Sequence, residues 1–340
     1  MSTTDQLRSS RQRACMGCSD DGVAASLTRS LWCGPREEFQ RYRVTVGPGG
    51  LQPAGEGGQG LVYLGHRASG GPSGPVALKM LTHLKSDEYE LFAARSDLMR
   101  AVDHPNLMRQ LETFMGTALL ESPPPFDDEY DVPYSVANWV PGHSLAEAVA
   151  ASSTPDGLRW VVDVARGVDY LHGLKLPGAP QGIAHRDIKP SNVRVTPEGM
   201  GVLIDFGTAR PESDDDRTRG IGTFHWRAPE LLGGSGVPGT VSDVWGIGAL
   251  AYWVLVGEPP RLEDADDLRE RMDESLGVQG LPRAGRITQE IAALQELNPS
   301  ERPEHLSDWI SKMDALLAPS LWSQFRRLTP PWRKKPAPLA

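Results

Sequence analysis

Lysine is scarce in this chain, with seven lysines against twenty-eight arginines among 340 residues. Cysteine is scarcer: Cys15, Cys18 and Cys33 are the only three, one thiolate short of a closed four-cysteine zinc site. No run of eighteen apolar residues occurs, so no segment reads as a membrane-crossing helix. The opening Met1-Ser2-Thr3-Thr4-Asp5 leads into polar residues, unlike a secretory signal. Surplus positive charge is missing too, and a net charge of -9 argues against a general nucleic-acid binder, which needs cations to neutralise phosphates. Together these absences predict a cytoplasmic protein with no transmembrane segment and no nucleic-acid partner. What is present, 39% hydrophobic residues over this length, is ample for two packed cores.

The scarcity of lysine makes the position of each one informative. One stands in His185-Arg186-Asp187-Ile188-Lys189-Pro190-Ser191-Asn192, and Asp205-Phe206-Gly207 follows eighteen residues after Asp187. The octet and the triplet hold the groups that phosphoryl transfer requires. Asp187 suits the task of orienting a hydroxyl and taking its proton, and Lys189 that of a point charge for the moving phosphate. Asn192 and Asp205 offer the oxygen ligands of a hard cation. An Asp-Phe-Gly triplet alone marks an ordinary turn; beside the octet at this separation it carries weight.

Further segments follow in order. Gly55-Glu56-Gly57-Gly58-Gln59-Gly60-Leu61-Val62 is a Gly-x-Gly-x-x-Gly-x-Val run whose missing side chains let backbone N–H groups close over phosphates. In a chain with 36 glycines such a run is weak alone, and dinucleotide-binding folds use a related one. Nineteen residues after Gly60, Val76-Ala77-Leu78-Lys79 ends an apolar strand in a cation. Downstream lie Gly222-Thr223-Phe224-His225-Trp226-Arg227-Ala228-Pro229-Glu230, then Asp243-Val244-Trp245-Gly246-Ile247-Gly248, then Asn298-Pro299-Ser300-Glu301-Arg302-Pro303.

With these motifs in this order the chain resembles the eukaryotic-like serine/threonine protein kinase family from about residue 42 to about 316. The resemblance implies an α+β, bilobal kinase fold: a small antiparallel-sheet lobe with one helix over 42–137, a hinge over 138–142, and a larger, mainly helical lobe over 143–318. It implies ATP and Mg²⁺ as cofactors, with Mn²⁺ able to substitute, and protein substrates that accept phosphate on Ser or Thr. By position, Asp187 is the implied catalytic base and Lys189 the phosphate-contacting lysine. Asn192 and Asp205 are the implied metal ligands. Lys79 is the implied nucleotide lysine, with Gly55, Gly57, Gly58, Gln59, Gly60 and Val62 covering the phosphates. Ala77, Asn138, Val140 and Arg194 are placed around the base, and Ala137 at the deep end of its pocket. Glu230 and Arg302 are implied to form a buried ion pair, Asp243 to anchor the catalytic loop, and Thr223 to position the acceptor. Arg186 beside the base resembles kinases whose activation segment is ordered by phosphate, which predicts autophosphorylation at Thr218, with Ser213 second. Asp214 to Asp216 supply negative charge in that segment without phosphate.

Two positions depart from the family pattern. Ten residues before Pro105 of the His104-Pro105-Asn106 turn, where the family has the glutamate that pairs with the nucleotide lysine, stands Arg95; the nearest upstream acids are Glu88 and Glu90. Arg194 stands where the family places an apolar residue under the adenine, though its planar guanidinium suits stacking on a base. Arg95 is the best support for the alternative of a weakly active pseudokinase acting as a nucleotide-binding scaffold. A small-molecule phosphotransferase, the third possibility, usually lacks the Ala-Pro-Glu segment.

The ends read differently from the middle. Residues 1–41 form an expected flexible extension that carries all three cysteines. Cys15-Met16-Gly17-Cys18 suits either a partial zinc site or a redox pair, while a degenerate remnant is the plainer account. Residues 319–340 carry five basic and no acidic residues, interleaved with Trp322, Phe325 and Trp332. That mixture suits contact with an anionic membrane, but the prolines interrupt any long helix and favour a solvated tail. Between them, period-two segments predict a hairpin near 51–65 and strands at 75–81, 107–115 and 134–140 around a helix at 86–101. Leu158, Val161, Val162, Ala165, Val168 and Leu171, at steps of three and four, predict a helix ending before the catalytic loop. Helices are also expected at 242–256, 262–273, 288–297 and 304–317, and an exposed acidic, proline-rich loop over 121–129.

Overall fold

A computed structural model describes residues 29–57, 60–68, 74–82, 84, 88–124, 130–211, 224–232, 238–261, 267–278 and 283–318. Gly58, Gln59, Ser213, Thr218, Thr223, the Cys15–Cys18 pair and the basic tail lie outside the described residues. The chain divides into two compact units. The first runs to Val140 and includes Asp205–Gly207; the second runs from Pro141 to Ile204 and resumes at Thr208. The α+β organisation is the one expected from the sequence.

The first unit is a sheet with one helix. Its strands are β1 (Arg29–Cys33), β2 (Tyr42–Val46), β3 (Gly55–Gly57), β4 (Gly60–Arg67), β5 (Pro75–Met80), β6 (Gln110–Gly116) and β7 (Val132–Asn138). They pair antiparallel in the order β1-β2-β4-β5-β7-β6, with β3 on β4. Alternation sorts the two faces. Val76, Leu78 and Met80 of β5 point into a core with Tyr42, Val44, Tyr63, Phe114, Tyr134 and Val136. Ala77 and Lys79 therefore lie on the opposite face. Phe114 stacks between Tyr42 and Tyr134, at centroid distances of 5.8 Å and 5.0 Å, and the buried Tyr134 hydroxyl donates to the Thr117 carbonyl at 2.8 Å. Helix α1 (Tyr89–Met99) is shorter at both ends than the expected 86–101; no side chain caps it at Glu88.

The expectation of a flexible extension up to residue 41 does not hold for its last part. Strand β1 pairs with β2 from Arg29↔Val46 to Cys33↔Tyr42. On its other edge Trp32 exchanges two backbone hydrogen bonds with Leu120, at 2.7 Å and 3.1 Å. Cys33 is fully buried in the sheet's core, so the cysteines do not all lie outside it. A short, charge-flanked segment gives little local strand signal, but two ladders and a buried side chain override that weak propensity.

The second unit is mainly helical. It opens with β8 (His143–Ser144) and α2 (Leu145–Ala150), whose first turn is closed by a reciprocal Ser144–Glu147 capping box. Helix α3 (Thr154–Gly173) buries the whole stripe expected from its periodicity. Short strands β9 (Ile183–Ala184), β10 (Val193–Val195), β11 (Gly201–Leu203) and β12 (Arg210–Pro211) follow, with β10 between β8 and β11 and β12 on β9. Helix α4 (Thr240–Val256) is buried on nearly every side, as its apolar composition requires, and stops at Gly257 in a left-handed cap. It is followed by α5 (Leu268–Val278), α6 (Ala284–Leu294) and α7 (Ser307–Leu317). Residues 262–266 of the helix expected at 262–273 lie outside the described residues; the rest falls in α5, which runs on to Val278 and buries Leu268, Met272 and Leu276 at steps of four. None of the described helices is long and apolar enough to cross a membrane.

Candidate active site

In the first unit β3 and β4 form the glycine hairpin, with Gly55 opposite Val62 and Gly57 opposite Gly60. Gly60 has φ +146°, and a Cβ there would stand 2.0 Å from the Met80 carbonyl oxygen, so only glycine fits. The antiparallel register places Val62 opposite Lys79, Lys79 opposite Ser135, and Ala77 opposite Ala137, all on the face away from the core. Asn138 is committed locally: its N–H donates to the Arg109 carbonyl at 3.0 Å, and its Oδ1 accepts from the Arg109 N–H at 2.6 Å. Val140 is buried.

Lys79 Nζ lies 2.6 Å and 2.7 Å from the two carboxylate oxygens of Asp205. Asp205 Oδ1 also accepts from the Gly207 N–H at 3.1 Å. Asp205 holds φ +69°, a left-handed conformation that costs ~1–3 kcal/mol outside glycine. Sequence reasoning left open which acid meets Lys79. Asp205 does, and no local signal joins two residues 126 positions apart.

In the second unit Asp243 organises the loop before β10. Its Oδ2 accepts from the His185 N–H at 2.7 Å and lies 3.0 Å from His172 Nε2; its Oδ1 accepts from the Arg186 N–H at 2.7 Å. A buried carboxylate is tolerable when its lone pairs are filled in this way. Arg186, held at φ +71°, turns the chain so that Asp187 follows. His172 was not singled out from the sequence; its only signal is an imidazole at the end of an apolar helical stripe.

Asp187, Lys189 and Asn192 converge. Asp187 Oδ2 is 2.8 Å from Lys189 Nζ and accepts from Asn192 Nδ2 at 2.9 Å. The same Nδ2 donates to the Asp187 backbone carbonyl at 2.8 Å. Asp187 Oδ1 is buried and has no hydrogen-bond partner among the described residues. With Nδ2 turned toward Asp187, the oxygen end of Asn192 is the end left for a cation. The described residues hold no cluster of three or more His, Cys, Asp or Glu able to enclose a metal. Asn192 in the second unit and Asp205 in the first each carry a side-chain oxygen of the kind a hard cation takes.

Arg302 and Glu230 meet in a two-pronged pair, Nη1 and Nη2 each 2.8 Å from a carboxylate oxygen, with the arginine side chain fully buried. Arg302 also donates to the carbonyls of Glu296 at 2.8 Å and Val241 at 3.1 Å, and lies 5.1 Å from the Trp245 ring centroid. Arg194 donates to the Gly142 carbonyl. A cavity in this unit is bordered by Arg186, Asp187, Trp226, Arg227, Leu231 and Asp243.

The family described as protein kinase domain matches residues 51–318. A serine/threonine-protein kinase, pkn2, of Myxococcus xanthus is 32% identical over 234 residues, 65% of this chain and 25% of that protein. The serine/threonine-protein kinase MST20 of Pyricularia oryzae is 28% identical over 249 residues, covering 72% and 24% respectively. A human mitogen-activated protein kinase kinase kinase 19 is 30% identical over 220 residues, covering 61% and 15%. The matches span about a quarter or less of these relatives' length.

Proposed function

We propose, from the premise that this chain belongs to the protein kinase family, that it transfers the γ-phosphate of Mg-ATP to Ser or Thr hydroxyls of protein substrates. The observation that carries this reading is the asymmetry of Asp187. Lys189 and Asn192 hold its Oδ2, while Oδ1 is buried and has no hydrogen-bond partner among the described residues. A carboxylate fixed at one oxygen presents the other in one orientation, as a base for an incoming hydroxyl must. Lys189 neutralises charge on the moving phosphoryl group, and Lys79 holds the nucleotide phosphates. Mg²⁺, or Mn²⁺ in its place, held by Asn192 and Asp205, would neutralise phosphate charge during transfer. The names of the relatives favour Ser/Thr as acceptor, as do Lys189 and Thr223. Autophosphorylation at Thr218 belongs to the same reading.

Arg95 supports a second reading, a scaffold that binds nucleotide with little transfer. Incubation with labelled ATP, Mg²⁺ and a generic basic protein separates the two. Label on protein, lost in Asp187→Asn, supports the kinase. No label from a folded, nucleotide-binding sample supports the scaffold, and label on a metabolite alone supports neither.

A further inference from the structure

We propose that Arg194 is a positioning residue for the linker, its guanidinium holding the Gly142 carbonyl where the chain leaves segment 138–142. This inference rests on the kinase reading, in which that segment borders the nucleotide base. Val193 and Val195 are buried, so alternation along β10 turns Arg194 to the other face. There it lies opposite Ser144, and Val195 opposite His143. Gly142, immediately before β8, has φ +111°, and a Cβ on it would stand 2.0 Å from the Val195 carbonyl oxygen. Backbone is thus pressed on backbone at this point, and no side chain of residue 142 can wedge or hold it. The tie comes from residue 194, whose Nη2 donates to the Gly142 oxygen.

A second contact system begins two residues later. Glu147 caps α2 by accepting from the Ser144 N–H and hydroxyl, both at 2.8 Å. Its carboxyl is held below the usual range first by those hydrogen bonds, then by the charges of His143 and Arg194. The guanidinium therefore acts on both sides of β8: by hydrogen bond on the linker, and by charge on the start of the helix. An apolar residue at 194 would supply neither. A lysine keeps the charge and a donor but loses the planar fork.

The consequence runs against the family pattern. Arg194→Leu, which restores an apolar side chain, is expected to weaken Mg-ATP binding about tenfold, the effect of losing one charge-assisted hydrogen bond. The loss should fall on KM for ATP rather than on kcat, and Arg194→Lys should recover most of it. Calorimetric binding, steady-state kinetics and amide exchange across 141–145 are the measurements, with faster exchange expected in Arg194→Leu. Leucine binding nucleotide as well as arginine does, or leucine and lysine variants equally impaired, overturns the proposal. Should the parent chain neither bind nor use ATP, the kinase reading fails instead. The exchange data then still decide the contact, because unchanged protection in Arg194→Leu removes it.

Discussion

Lys79 and Asp205 share one ammonium–carboxylate contact, Nζ reaching both carboxylate oxygens within 2.7 Å, in a chain whose helix α1 carries Arg95 where the family carries an acid. In the proposed function this carboxylate would both hold the nucleotide lysine and serve a cation, which links the two tasks. Asp205→Asn separates them from folding, because asparagine tolerates the φ of +69° as well as aspartate does. Phosphate transfer should fall by about 10³-fold. The pair is partly solvated, so stability should change by only about 1 kcal/mol. Labelled transfer and thermal denaturation of the same sample check both. A collapse in melting temperature would mean that Asp205 is chiefly structural.

Arg302→Ala is expected to be severe. It removes the partner of Glu230, two backbone donations and the contact over Trp245. Breaking a buried pair from one side strands the remaining charge, at a cost of about 3–5 kcal/mol. Urea denaturation read by tryptophan fluorescence measures it, and a loss below about 1 kcal/mol would refute the structural role. Glu230→Gln should cost less, since the amide oxygen still accepts one guanidinium N–H.

Asp243→Asn tests the loop anchor. The carboxylate accepts from two backbone N–H groups on different oxygens; an amide offers one oxygen and turns its NH₂ against the other donor. The loop would shift while its residues stay chemically intact. A displacement of about 1 Å is enough to lower kcat by about 10²-fold, with nucleotide affinity largely kept. Unchanged kcat would show that the loop holds its shape without Asp243.

Segment 185–192 stood out because its charged and polar groups are crowded into eight residues, and helices α3 and α4 were legible because apolar periodicity in the one and apolar composition in the other are local signals. The partner of Lys79 was not legible: Asp205 reaches it through the fold. Strand β1 was hidden for a related reason, since five residues carry little pattern and their stability comes from Tyr42–Val46 on one side and Leu120 on the other. Arg194 could be flagged as unusual from sequence, but its acceptor, the Gly142 carbonyl, is brought near only by the pairing of β8 with β10.

Cys33 gives a prediction about pH. Burial pushes its thiol from the ordinary 9.0 up to about 12, against a smaller opposing effect of its hydrogen bond with Tyr134. Burial likewise pushes the phenols of Tyr134 and Tyr42 up. For an acid whose pKa rises on folding, the native state binds the proton more tightly, so stability is complete below the unfolded value and falls as pH climbs above it. The chain should therefore lose stability progressively from about pH 9 toward pH 12, visible as a falling urea midpoint. In a Cys15→Ser, Cys18→Ser background, Cys33 should also resist thiol reagents at pH 8 until the sheet unfolds, so that labelling follows the unfolding rate. Rapid labelling of the native protein would show that β1 detaches from the sheet on its own.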